Sequence, residues 1–167
     1  HIFEPSAINI KKLRVRFAND QCIKILPYAV SETTEKRLLY AEMLGSGLAS
    51  LTKRNLDHLG IAFDKAENID QIRFEDYWKK EFSEQALDLV KIDIEGHELN
   101  ALHGFGDALS VVKVLQFEFG GCNIDTRTYF RDFWYFLTDR KFDIYRITPF
   151  GSQRVYEYRE TDEYFST

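Results

Sequence analysis

Three carboxylates fall within six residues of the stretch LVKIDIEGHE, residues 89–98: Asp93, Glu95 and Glu98. Acids this close repel one another unless solvent, a cation or a hydroxylated ligand offsets the charge. Asp93 and Glu95 alternate with Ile92 and Ile94, which puts both acids on one side of a strand. Gly96 lets the backbone turn sharply or approach a ligand closely. Glu98 also has a plainer use, because an acid favours a helix N-terminus. His97 is of the type that acts as a general base near neutral pH, and is equally a histidine exposed on a helix's first turn. Two further acids close apolar runs, Glu4 in IFEPS and Glu118 in VVKVLQFEF. Glu4 stands where an acid accepts two hydrogen bonds from the vicinal hydroxyls of a ribose, or where a solvated acid simply ends a strand. Asp93 and Glu118 are of the ligand type that holds Mg²⁺ or Ca²⁺. In GGCNIDTR, residues 120–127, Asn123, Asp125 and Arg127 either touch a substrate or serve ordinary turn and capping chemistry.

These residues need elements to hold them. IFEPS reads as a strand end and a helix start, with Ser6 able to cap and Ile10, Leu13 and Phe17 at helical spacing. Residues 22–30, CIKILPYAV, read as a strand that Pro27 demotes near its end to an edge or bend. The signal weakens from residue 31, where Gly45, Ser46 and Gly47 make a flexible joint, and HLGIAFDKAENIDQIRF, residues 58–74, reads as short strands. FEDYWKKEF itself suits a short helix. Residues 87–95 and 111–119 read as strands. HELNALHGFGDALS between them is a helix weakened by Gly104 and Gly106. Phe130, Phe133, Trp134 and Leu137 recur at i, i+3, i+4 and i+7, the strongest helical pattern in the chain. DIYRITPF and QRVYEYRE make a terminal hairpin turning at residues 149–151. Strand–helix–strand alternation predicts an α/β domain with a mostly parallel sheet. Glu4, Asp93, Glu95 and Glu118 then share the rim at the carboxyl ends of the strands, where such sheets bind ligands.

Composition narrows the function. At 167 residues, 44% hydrophobic and 15% aromatic, the chain suits one folded domain over residues 1–167 rather than a disordered segment. A net charge of −5 makes nucleic acid a poor partner. No apolar run reaches the length of a membrane span. The two widely separated cysteines, Cys22 and Cys122, read as free thiols, so the expected compartment is the cytoplasm. No G-x-G-x-x-G occurs, which counts against a nicotinamide-dependent oxidoreductase. HIFEPS opens on what reads as a strand already under way, so a piece of a longer protein is expected.

The segments FEPS, AVSE, LVKIDIEGHELNALHG, VLQFEFGGCNIDTRTYFRDFWYFL and YRITPFG resemble, in order, the FkbM-family methyltransferases. The resemblance implies a class I, S-adenosylmethionine-dependent enzyme of Rossmann-like fold that methylates a hydroxyl on a sugar, glycan, polyketide or related small molecule. On that likeness Glu4, with Pro5 and Ser6 of the same motif, holds the cofactor's ribose hydroxyls. Ala29 and Val30 lie beside the adenine. Asp93 and Glu95 face the methyl-transfer centre, with Glu118 and Asn123 on the substrate side. His97 falls at a variable place in the family's pattern. The family's first strand, its acidic Gly-rich turn and the helix after it should precede FEPS and are missing, and DEYFST stops short of the family's usual end. The expectation is therefore an N-terminally truncated domain; the rival is a non-catalytic α/β module that binds a protein or glycan partner. Mg²⁺ is the expected ion if a metal is used.

Overall fold

The computed structural model describes residues 1–164; residues 165–167, the end of DEYFST, lie outside it. Strand β1 (Ile2–Phe3) leads through Glu4 into helix α1 (Ala7–Arg16). The predicted strand over residues 22–30 is broken in two. Pro27 and Tyr28 separate β2 (Ile25–Leu26), which pairs in parallel with β1, from β3 (Ala29–Ser31), which enters another sheet. A proline has no N–H for a ladder, so the break falls where pairing must stop.

The weak-signal region holds the longest ladder. β4 (Glu35–Ala41) runs antiparallel to β5 (Lys65–Arg73), and β3 joins the other edge of β5 in parallel. Helix α2 (Phe74–Glu81) follows at once, as FEDYWKKEF predicts. Next come β6 (Leu87–Ile92), α3 (Glu98–Phe105), a 3-10 turn over Gly106–Val111, and β7 (Val112–Phe117), parallel to β6. GGCNIDTR is not a plain loop: it carries a short helix, α4 (Cys122–Thr126). Helix α5 (Phe130–Thr138) and the antiparallel hairpin β8 (Ile144–Thr148) and β9 (Gly151–Val155) end the chain.

The fold is mixed α/β, but its strands do not form one ladder. Among the described residues they make four hydrogen-bonded groups, two of them parallel pairs. The expectation of a single mostly parallel sheet is corrected accordingly. The main core lies under α3 and α5, where Ala101, Leu102, Phe133 and Leu137 are almost wholly buried. Phe133 stacks on Phe117 of β7 at 4.7 Å, and Phe105 stacks on Phe74 of α2 at 4.0 Å. The first stack ties α5 to the strand that leads to Glu118, and the second ties α3 to α2. Gly104 lets α3 lie directly on β3, since a Cβ there would overlap the Ser31 carbonyl. Among the described residues no helix is long and apolar enough to cross a membrane. Cys22 is an exposed free thiol and Cys122 a buried one.

Candidate functional site

β6 stops at Ile92, so Asp93 and Glu95 ride on the turn that follows, not on one side of a strand. The turn is built from backbone conformations that side chains seldom adopt. Glu95 has φ +56° and Gly96 φ +98°. A non-glycine residue in the left-handed region costs energy, and its surroundings must hold it there. Glu98 does much of the holding. Fully buried at the first position of α3, its Oε1 accepts the N–H groups of Ile94 (2.9 Å) and Gly96 (3.2 Å). Its other oxygen is buried without a hydrogen-bond partner, and burial pushes its pKa up. Gly96 is needed for space as well: a Cβ would come within 2.9 Å of the Cys122 carbonyl of α4.

Across the parallel ladder, the Glu118 N–H donates to Ile92 O at 3.1 Å, which carries Glu118 to the same end as the turn. Asp93, Glu95 and Glu118 converge, their nearest carboxylate oxygens all within 4.8 Å of one another. The three are not equivalent. Lys91 donates to Asp93 Oδ2 at 2.7 Å and, with a hydrogen bond from Glu118, holds the Asp93 carboxyl below its usual range. That hydrogen bond, partial burial and the charge of Asp93 push Glu118 up to about 7. Two carboxyls side by side share a proton because they resist ionising together. Burial raises Glu95, against the pull of Arg54.

Arg54 comes from the region where sequence signal is weakest. Its side chain, only 10% exposed, donates from one guanidinium nitrogen to Glu95 Oε2 (3.0 Å) and from Nε to Asp125 Oδ2 (2.9 Å). It thus ties the acid turn to α4. The same segment adds Ser50 Oγ donating to Glu95 O (2.8 Å) and Thr52 Oγ1 paired with His97 Nε2 (3.0 Å). Arg54→Met leaves two partly buried carboxylates unpaired, and the expected cost is about 3 kcal/mol in denaturant unfolding. A loss within experimental error of zero would show that the clamp contributes nothing to the fold.

The other candidates are placed as follows. His97 is half-buried and bonded to Thr52, not exposed on a first turn; burial and the nearby Arg37 charge lower its pKa. Asn123 is buried, its Oδ1 accepting the Gly120 N–H at 2.8 Å while its Nδ2 finds no partner. Arg127 ends α4 in the left-handed conformation at φ +57°. Ala29 is buried against Leu39 and Ile69, and Val30 packs on the main core. Glu4 lies at the other helix start. Its Oε1 accepts the Ser6 N–H at 2.7 Å, and burial raises its pKa. Ser6 takes the N-cap position, yet its hydroxyl makes no cap bond and is buried without a partner. Pro5 separates the two. A half-buried carboxylate beside an orphaned hydroxyl suits a ligand bearing neighbouring hydroxyls.

Against known proteins, the sequence matches the family described as Methyltransferase FkbM domain over residues 1–144. No curated protein and no solved structure shows significant similarity to the chain.

Proposed function

Because the chain belongs to the FkbM methyltransferase family, we propose that it moves a methyl group from S-adenosylmethionine to a hydroxyl oxygen of a sugar, glycan or related small molecule, on a Rossmann-like class I fold. One observation carries the chemistry: three carboxylates with separated proton affinities converge at the ends of two parallel strands. When bound, S-adenosylmethionine supplies an electrophilic methyl group on a sulfonium. Glu4 accepts hydrogen bonds from its ribose hydroxyls, and the unpartnered Ser6 hydroxyl completes that cradle. Ala29 and Val30 flank the adenine. Asp93, kept ionised by Lys91, takes the proton from the acceptor hydroxyl, with Glu118 bonded to it on the acceptor side. Glu95 is held by Arg54 and shapes the turn rather than moving a proton. His97, engaged with Thr52, positions that segment. Asn123 and Arg127 stand at the two ends of α4, on the acceptor side. Alignment of the two reactants is the larger contribution, worth up to about 7–11 kcal/mol in well-oriented systems.

Mg²⁺ would take Asp93 and Glu118 as ligands. The proposal does not require it, since Lys91, Arg54 and a shared proton already offset the three acids. S-adenosylhomocysteine is expected to raise the melting temperature of the protein, and Glu4→Ala to abolish that rise while leaving the unliganded protein folded. No shift in the unsubstituted protein would favour the rival reading, a partner-binding module without catalysis. One observation supports that rival: two surface clefts, of about 300 and 270 Å³, both lie away from the acid cluster.

A further inference from the structure

Glu42 follows directly on β4. Its Oε1 accepts the Ser46 hydroxyl at 2.5 Å, and the Ser46 oxygen accepts the Leu48 N–H at 2.9 Å. These bonds fold residues 42–48 back on themselves, with Gly45 in the left-handed region at φ +79°. The other carboxyl oxygen, Oε2, is buried without a hydrogen-bond partner. A buried carboxyl oxygen left unpaired is costly. The loop itself does not call for it, because a glutamine oxygen would accept the Ser46 hydroxyl as well.

The same loop touches both halves of the proposed site. On one side it packs on the start of α1: a Cβ added to Gly45 would lie 2.8 Å from Ile8 Cγ2 and 3.2 Å from Asn9 Oδ1. Asn9 acts in turn on Glu4, whose pKa burial raises while hydrogen bonding from Ser6 and Asn9 draws it down. On the other side, Ser50 returns to β4 and exchanges two backbone hydrogen bonds with Tyr40, at 2.8 and 2.9 Å. The Ser50 hydroxyl donates to Glu95 O at 2.8 Å, so the loop ends on the acid turn. Glu42 is near enough to be felt there. Burial raises Glu95 and, against the pull of Arg54, the charges of Asp93 and Glu42 add to the rise.

In S-adenosylmethionine the sulfonium sulfur is bonded to the ribose and carries a chain that bears an ammonium group. With the ribose at Glu4 and the reacting methyl at Asp93, this cationic arm is the part of the cofactor that joins the two places. We propose that the orphaned Oε2 of Glu42 receives the cationic methionyl arm of S-adenosylmethionine, at its ammonium or its sulfonium, and so positions the methyl group. An ammonium would make a charge-assisted hydrogen bond to it, and a sulfonium a direct charge contact. Binding energy gained away from the reacting atoms then serves to align them. This inference rests on the methyl-transfer reading, and its test separates the two.

Calorimetric titration of the protein and of Glu42→Gln with S-adenosylmethionine, S-adenosylhomocysteine and methylthioadenosine provides that test. Methylthioadenosine keeps the nucleoside but lacks both the ammonium chain and the charge on sulfur. Glu42→Gln should weaken S-adenosylmethionine by about tenfold or more, as the loss of one charge-assisted hydrogen bond predicts, and leave methylthioadenosine unchanged. An equal loss for S-adenosylhomocysteine assigns the contact to the ammonium; undiminished S-adenosylhomocysteine binding assigns it to the sulfonium. Unchanged affinity for S-adenosylmethionine, or a loss of the same size for methylthioadenosine, overturns the proposal and leaves the methyl-transfer reading standing. An unsubstituted protein that binds none of the three removes that reading, and this inference with it.

Discussion

Gly104→Val is expected to destabilise the protein by about 3 kcal/mol or more, at the upper end of what overpacking costs. Gly104 sits in α3 where the helix backbone meets the backbone of β3, and an added Cβ would overlap the Ser31 carbonyl oxygen and crowd Glu32. No flexible side chain stands in the way, so the helix or the strand must move as a unit. Helix propensity runs against the effect, since Gly is worth about 1 kcal/mol less than Ala inside a helix, but it is too small to offset two backbones forced apart. At roughly 2–4 °C per kcal/mol for a chain of this size, the melting temperature should fall by about 6–12 °C. The damage should reach the acids too, because Glu98 starts α3 and holds the Ile94 and Gly96 N–H groups of the acid turn. Gly47→Ala is the control: nothing lies within 4 Å of its added Cβ. Equal melting temperatures for Gly104→Val and the unsubstituted protein would show that α3 does not rest on β3 at this point.

That glycine illustrates what the sequence can and cannot tell. Read alone, Gly104 is only a weak helix residue; its purpose depends on Ser31, 73 positions earlier. The acid turn was legible because it is local. An apolar run, two acids, a glycine and a helix-start acid fall in consecutive residues, and Glu118 follows from parallel register one strand later. The strand end was misjudged because alternation continues past Ile92 although the ladder does not. Arg54 was not legible. It bonds Glu95 and Asp125, 41 and 71 residues away, from a segment without periodicity. His97 looked like an exposed histidine for the same reason: its partner Thr52 is 45 residues away. Short strands are legible around β5, but its pairing with β4 is not, because charged residues fill the exposed positions of both, and Pro27 divides two sheets rather than weakening one strand. Local chemistry could be read; packing between distant segments could not.

Methyl transfer should rise through an inflection near pH 7, and Asp93→Asn or Glu118→Gln should each remove that inflection together with about 10²–10⁴ of the rate. A lone carboxylate, with a pKa of about 4, is a poor base for a hydroxyl. The pair is better matched to neutral water. Lys91 keeps Asp93 ionised, and the Asp93 charge and hydrogen bond push Glu118 up to about 7. Below that pH the pair already holds one proton, and taking a second from the acceptor would leave both carboxyls neutral beside Lys91. Above it both are ionised, close together, and repulsion between them is relieved by accepting one proton. Base strength, and with it the rate, therefore increases with pH. Glu118→Gln leaves Asp93 held below its usual range by Lys91, and Asp93→Asn takes away the largest cause of the raised Glu118 pKa, so neither residual rate should inflect near pH 7. S-adenosylhomocysteine should still raise the melting temperature of both variants, which separates lost proton transfer from lost cofactor binding. A flat profile in the unsubstituted enzyme, or full activity in Glu118→Gln, would assign the proton to a group other than this pair.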